Sequence, residues 1–339
     1  MTPVLIFLII LALGFDFLNG IHGSSTIVAT MISSRALKPR TALIIIAVAE
    51  FCGPFIFGVA VANTIGSQIV SPQLVNMNLL LAALLAAIIW NVFTWALGIP
   101  SNSSYALIGG LIGAVMVGIG WQGLIISGLV KILVSLFASP LLGFLAGWLI
   151  ANLIFLLSWK ATPRINGIFK QLQVATSLGL ALSHGTNDAQ KAMGVITLGL
   201  VIGGFQEVFQ VPFWVVFICA LVIATGTAIG GWRLIRTLGS KFYKIRPVHG
   251  LASQVASAMV ILTASLVGGP VSTTQVVSTS IMGVGAAERL SKVRWNVAGE
   301  ILSAWLLTIP ATALLAAGLY WLIDLGIPGI IGLFSKGIL

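Results

Sequence analysis

The sequence predicts an all-α polytopic membrane protein made of two inverted-topology repeats of about five crossings each, with broken or re-entrant helices converging on a central site. Three observations predict it. Of the 339 residues, 58% are hydrophobic and only 7% charged, at a mean hydropathy of +1.12, whereas a water-soluble domain carries about 25% charged residues. Apolar stretches of about 20 residues, enough to cross roughly 30 Å of hydrocarbon as a helix, recur from end to end. Short polar motifs of the first half reappear in the second at a nearly constant spacing.

The first half holds apolar runs at residues 3–33, 41–66, 76–97, 103–119 and 123–157, the last carrying Pro140. The second half holds runs at 174–203, 213–236, 249–268, 271–286 and 295–324, the last carrying Pro310. These divide the chain into an N-terminal membrane repeat (1–158), a basic cytoplasmic linker (159–173) and a C-terminal repeat (174–339). The first run has no basic residue before it and no cleavage site after a short apolar core, so it reads as a retained helix, not a signal peptide. Cys52 and Cys219 lie inside apolar runs and read as packing residues.

The net charge of +10 does not form a nucleic-acid face. The basic residues fall mainly in four clusters between apolar runs: Arg35, Lys38 and Arg40; Lys160, Arg164 and Lys170; Arg233 to Arg246; and Arg289, Lys292 and Arg294. Loops with this bias stay on the cytoplasmic side, and placing all four there leaves both termini outside. The segments 63–78 and 204–212, which fall outside in this arrangement, contain no Lys or Arg.

The halves correspond in several places. Gly-Ile-His-Gly-Ser-Ser-Thr at 20–26 aligns with Gly-Thr-Asn-Asp-Ala-Gln-Lys at 185–191. Pro-Ser-Asn-Ser-Ser at 100–104 aligns with Pro-Val-Ser-Thr-Thr at 270–274, and Gly113 with Gly283 and Pro140 with Pro310 keep the same offset. An odd number of crossings per half makes the second half enter from the opposite side, an arrangement common in secondary transporters.

Each half is expected to begin with a helix interrupted by its Gly-rich polar segment, and to carry later a Pro followed by small polar residues. Broken backbone at membrane depth survives only where it faces protein or a water-filled cavity. Helix starts there offer free N–H groups and a positive dipole end, which suit an oxyanion. Ser103, Ser104, Thr273 and Thr274 would add hydroxyl donors. The simpler alternative is that such hydroxyls bond to their own helix.

These residues carry a resemblance to the inorganic phosphate transporter (PiT) family, in its short bacterial form. Ser-His-Gly-Thr-Asn-Asp-Ala-Gln-Lys-Ala-Met-Gly at 183–194 is similar to that family's second signature, and Phe-Asp-Phe-Leu-Asn-Gly-Ile-His at 15–22 resembles its first. Pro-Val-Ser-Thr-Thr at 270–274 and Gly-Gly-Trp-Arg at 230–233 match as well. The resemblance implies symport of phosphate with sodium or protons by alternating access. The chain departs from the family pattern at Gly23 and Thr26, where the family has Asp and Asn. It departs again at Glu50 and Glu300, where the family commonly has Asn, and at Gln254, where it has Glu. One anionic cation ligand is thereby absent, and acidic groups stand elsewhere.

A buried charge in a membrane costs several kcal/mol unless paired, and so marks a pathway or a site. Asp188 and Lys191 lie one helical turn apart and can face one cavity. The expected substrate ligands are Asn19, His22, Ser24, Ser103, Ser104, Asn187, Lys191, Ser272, Thr273 and Thr274. The expected coupling residues are Asp188, Thr26, Asn187, Glu50 and Glu300, with a bound sodium ion at Asp188 the one metal considered. His184 beside Gly reads first as a helix-packing hydrogen bonder, with proton relay as its functional alternative. Asp16 and Lys131 also fall within crossings, and His249 is placed at an interface.

No Walker loop or nucleotide domain is present, so ATP hydrolysis by this chain is excluded. Nor do His22, His184 and Asp188 have metalloprotease spacing, so no enzyme is expected. Phosphate is favoured over sulfate because Asp188 offers an acceptor for a protonated oxyanion. A sulfate permease on the same scaffold and a passive anion channel are the alternatives. No cofactor is expected, and the partners are the anion, the coupling proton or sodium, the lipid bilayer and, as one form of assembly, a second copy in a homodimer.

Overall fold

The computed structural model describes residues 2–33, 37–97, 102–162, 164–230, 246–293 and 295–336, without some side chains of the last helix, Glu300 among them. The helices are α1 (Pro3–Ser33), α2 (Pro39–Phe57), α3 (Ala60–Ser67), α4 (Met77–Leu97), α5 (Ser103–Gly118), α6 (Ile126–Leu157), α7 (Ile165–Ile202), α8 (Phe213–Ile229), α9 (Pro247–Leu266), α10 (Thr273–Glu288) and α11 (Trp295–Lys336). Among the described residues there is no strand, only a bridge between Val70 and Leu124. Among the described residues six helices are long and apolar enough to cross a membrane. Outward faces are apolar: Leu141, Leu145, Leu149 and Leu153 make an exposed stripe along α6 at four-residue spacing, the pattern of a helix that meets acyl chains.

Helices α1, α2, α7 and α8 form the centre. Gly199 of α7 abuts Leu8 of α1, while Gly23 of α1 abuts His184 of α7, so α1 and α7 run antiparallel. Glycine permits the closest approaches: Gly20 faces the α8 backbone at Ile223 and Thr227, and Gly185 faces the α2 backbone at Glu50. In lipid, where no hydrophobic force drives helices together, such small-residue contacts are what lets them pack.

The Gly-rich polar segments at 20–26 and 185–191 do not interrupt their helices, contrary to the sequence expectation. Both α1 and α7 run through them without a break. The glycines serve close packing, and the hydroxyls of Ser24, Ser25 and Thr26 donate to the carbonyls of Ile21, His22 and Gly23 at 2.7, 2.6 and 2.8 Å, keeping the turn internally bonded. The break that does occur lies inside the expected second crossing, between α2 and α3. Gly58 has φ +80 there, a conformation that costs little only for glycine. Gln190 of α7 closes the gap: its Nε2 donates to Gly58 O at 2.6 Å and its Oε1 accepts from Ala62 N at 3.0 Å.

Two helical hairpins complete the bundle. In one, the start of α4 meets the end of α5, with Leu79 beside Gly118. In the other, the start of α9 meets the end of α10, where His249 Nε2 lies 3.1 Å from Glu288 Oε2. The second tip, residues 268–273, is buried throughout. Each hairpin packs on the long final helix of the opposite half: Gly113 of α5 lies against the Ala313 backbone of α11, and Gly283 of α10 against the Phe144 backbone of α6. Residues 165–173, expected within the linker, are the first turns of α7. His249, expected at an interface, is buried against Phe155. Pro100 and the segment 231–245 lie outside the described residues.

Candidate functional site

Both short hairpin helices start at a side-chain cap. Asn102 caps α5, its Oδ1 accepting from Ser104 N at 2.9 Å, and Ser272 caps α10, its hydroxyl accepting from Gln275 N at 3.2 Å. A polar cap after an extended residue is the ordinary signal for a helix start, and it satisfies one of the free amides while leaving others exposed to a ligand. The two starts touch: Ser104 Oγ donates to Val271 O at 3.0 Å.

The α9–α10 tip packs on the middle of α7. Asn187 Nδ2 donates to Ser265 Oγ at 2.8 Å and to Gly269 O at 3.3 Å, and its Oδ1 accepts from Val271 N at 3.2 Å. Its amide is therefore committed to holding the α9–α10 tip. The hydroxyl of Thr273 donates to Asp188 Oδ2 at 2.9 Å. The same oxygen lies 3.0 Å from His184 Nε2, and Lys191 pairs with the other oxygen. Both carboxylate oxygens of Asp188 thus face protein groups, Oδ1 the Lys191 ammonium and Oδ2 Thr273 and His184.

His184, expected from sequence as a helix-packing hydrogen bonder or a proton relay, is the hub of this centre. Its Nδ1 lies 2.6 Å from Glu50 Oε1 on α2, while its Nε2 faces Asp188. Both ring nitrogens therefore face carboxylate oxygens, an arrangement that needs a hydrogen on each nitrogen or on one of the carboxyls. The other Glu50 oxygen accepts from Thr227 of α8, whose hydroxyl also lies 3.1 Å from Gly20 O. Gly23 makes room for this hub, because a Cβ there would fall on His184 Cε1 and Nε2. The departure at Gly23 and the acidic residue at Glu50 are two sides of one arrangement: the imidazole occupies the volume next to Gly23 and turns toward Glu50.

Of the expected ligands, Ser104, Ser272, Thr273, Asn187, Asp188, Lys191 and Glu50 are brought together and buried. Ser103 and Thr274 are half-buried beside them, and His22 is half-buried on α1. Ser24 and Thr26 bond to their own helix, as described above. Asn19 is buried, and neither of its amide atoms is hydrogen-bonded among the described residues. The side chain of Glu300 lies outside the described residues. Lys131, on α6, instead reaches Thr64 and Gln68 of the α3 region at 3.4 and 3.5 Å, beside Gly268. The residues missed from sequence are Asn102, Thr227 and Gln190, small or neutral polar groups in apolar surroundings that carry no local signature.

Comparison with known proteins agrees with this architecture. A model of the "Phosphate transporter family" matches residues 19–316. A relative from Rhizobium meliloti (strain 1021), described as "Probable low-affinity inorganic phosphate transporter", is 42% identical, covering 95% of this chain and 97% of its own. One from Bacillus subtilis (strain 168), with the same description, is 41% identical, covering 94% and 97%. A solved structure, "The sodium-dependent phosphate transporter", superposes with a TM-score of 0.86 at 25% identity, over 96% of this chain and 100% of that one. With its signatures, its buried α9–α10 tip and these likenesses spanning nearly its whole length, this multi-pass membrane protein belongs to the phosphate transporter family and is a transporter, not an enzyme.

Proposed function

We propose that the chain is a secondary active symporter that moves inorganic phosphate across the membrane by alternating access of its two inverted halves, driven by protons or sodium. The observation that carries this reading is the bond from the α5 start at Ser104 to Val271 beside the α10 start, whose Thr273 reaches Asp188, the partner of Lys191 in the middle of α7. Amide groups at two helix starts and one ammonium supply donors from several directions, which suits a tetrahedral oxyanion. The half-buried hydroxyls of Ser103 and Thr274, the cap Asn102, whose Nδ2 has no partner among the described residues, Ser272 and Asn19 are the neutral donors of the cradle. Asp188 holds Lys191 and Thr273 in place and accepts from a protonated phosphate oxygen once a donor turns away.

The exchanged packing of hairpins on the opposite final helices supports two related halves, as does the antiparallel course of α1 and α7. Rocking one half against the other would part the tips on one side and then on the other. The sodium dependence named for the solved relative and the phosphate named for the bacterial ones agree with a cation-coupled carrier.

The test is uptake of labelled phosphate into proteoliposomes under separately imposed proton and sodium gradients, with sulfate as competitor. A symporter accumulates phosphate against its gradient when one of the two is applied, and excess sulfate leaves uptake nearly intact. Uptake indifferent to both gradients marks a passive channel, and full competition by sulfate marks a sulfate permease. Lys191→Ala and Asp188→Asn are expected to abolish transport, and wild-type rates in both would refute the site.

A further inference from the structure

One buried carboxylate takes no part in the network so far. Asp16 lies on α1, fully buried, and neither of its oxygens has a hydrogen-bond partner among the described residues. Asn19, one turn further on the same helix, is 2% exposed and likewise unbonded at both amide atoms among the described residues. The antiparallel contacts Leu8 with Gly199 and Gly23 with His184 bracket this stretch, and reading between them brings Asp16 level with Lys191. The charged and titratable groups that act on Asp16 are Asp188, Lys191 and His184 of α7, Glu50 of α2 and Cys219 of α8.

Counting charge around the hub decides what Asp16 does. Asp188 and Glu50 are matched by Lys191 and by His184 held between them. Asp16 has no such match. Ionised, it would leave the centre with one uncompensated negative charge in a low-dielectric interior, which is costly in itself and opposes the entry of an anion. With a proton on one carboxyl oxygen, the charge vanishes and Lys191 is left to Asp188 and the incoming anion.

We propose that Asp16 carries the coupling proton. This rests on the symporter reading above and names the ion and the group that takes it. Loading adds one proton to one Asp16 oxygen, forming the neutral acid, with Asn19 the nearest polar group on its own helix face. Release returns that proton to the opposite side and restores the carboxylate. The ionised Asp16 then competes with Asp188 for the Lys191 ammonium and withdraws positive potential from the anion site. Proton and phosphate thereby favour each other's binding, and linkage requires the effect to be reciprocal. Over the range in which Asp16 titrates, one coupled proton changes apparent phosphate affinity by about tenfold per pH unit, beyond the titration of phosphate itself.

The experiment compares wild type, Asp16→Asn and Asp16→Glu in proteoliposomes. Three quantities are read: labelled phosphate accumulation under an imposed proton gradient, phosphate–phosphate exchange without a gradient, and proton entry followed by a trapped pH dye. In Asp16→Asn, accumulation and proton entry are expected to fall at least tenfold more than exchange does, and the extra pH dependence of phosphate affinity to vanish. Asp16→Glu is expected to keep accumulation with a displaced pH profile. Accumulation at the wild-type level in Asp16→Asn overturns the proposal. So does equal loss of exchange and accumulation in both variants, which marks Asp16 as structural, and so does wild-type accumulation driven by sodium but not by protons. Wild-type protein that neither exchanges nor accumulates phosphate would sink the symporter reading itself.

Discussion

The hydroxyl of Ser104 donates to the carbonyl of Val271 across 3.0 Å, joining residues that lie in opposite halves of the chain. This bond fixes the start of α5 to the α9–α10 tip. Ser104→Ala removes the donor and leaves the Val271 carbonyl buried without it, a loss of about 1–3 kcal/mol. Thermal unfolding in detergent should show the loss of stability, and uptake assays should show a several-fold rise in the KM for phosphate with the fold intact.

Gly23 is expected to be intolerant of any side chain. A methyl group there meets the His184 ring, and overpacking of this kind costs about 1–3 kcal/mol. Gly23→Ala should destabilise the protein and displace the imidazole from Glu50 and Asp188. In a double-mutant cycle, adding His184→Ala should recover part of the stability and none of the transport. An additive cycle would mean that the two positions do not meet.

Lys191 and Asp188 form a buried ion pair, and removing one member of such a pair costs about 3–5 kcal/mol because the other charge stays behind. Lys191→Met alone should therefore be much less stable than Lys191→Met combined with Asp188→Asn. Both proteins should be inactive. Equilibrium unfolding, with phosphate uptake measured on the same preparations, checks the pair.

The break between α2 and α3 depends on Gln190, which bonds Gly58 O and Ala62 N from another part of the chain. Gln190→Ala should cost roughly 2 kcal/mol by leaving both groups unsatisfied. Hydrogen exchange is expected to rise at the amides around Ala62 while α7 stays protected. Unchanged exchange there would remove Gln190 as the staple.

Much of the fold was legible because the bilayer imposes it. Hydrophobic length gave the spans, and the Pro-led polar stretches gave the starts of α5 and α10, where Asn102 and Ser272 are caps. The polar segments of α1 and α7 were located by sequence but misread as breaks. Glycine among polar residues reads locally as a loop, whereas here Gly20 and Gly185 let neighbouring backbones approach. The true break at Gly58 sits in a run too apolar to announce itself. In the site, Asp188 and Lys191 stood out because charge is rare in such a chain. The bridging place of His184 did not, since it depends on Glu50 and Thr227, 134 and 43 positions away in sequence, arriving from α2 and α8.

Whether the two tips cradle the anion is tested most directly by an experimental structure with phosphate bound. Tetrahedral density within hydrogen-bond distance of the first amides of α5 and α10, beside Lys191, is the predicted result. An anion seated away from both helix starts, with Lys191 still turned only to Asp188, would contradict it.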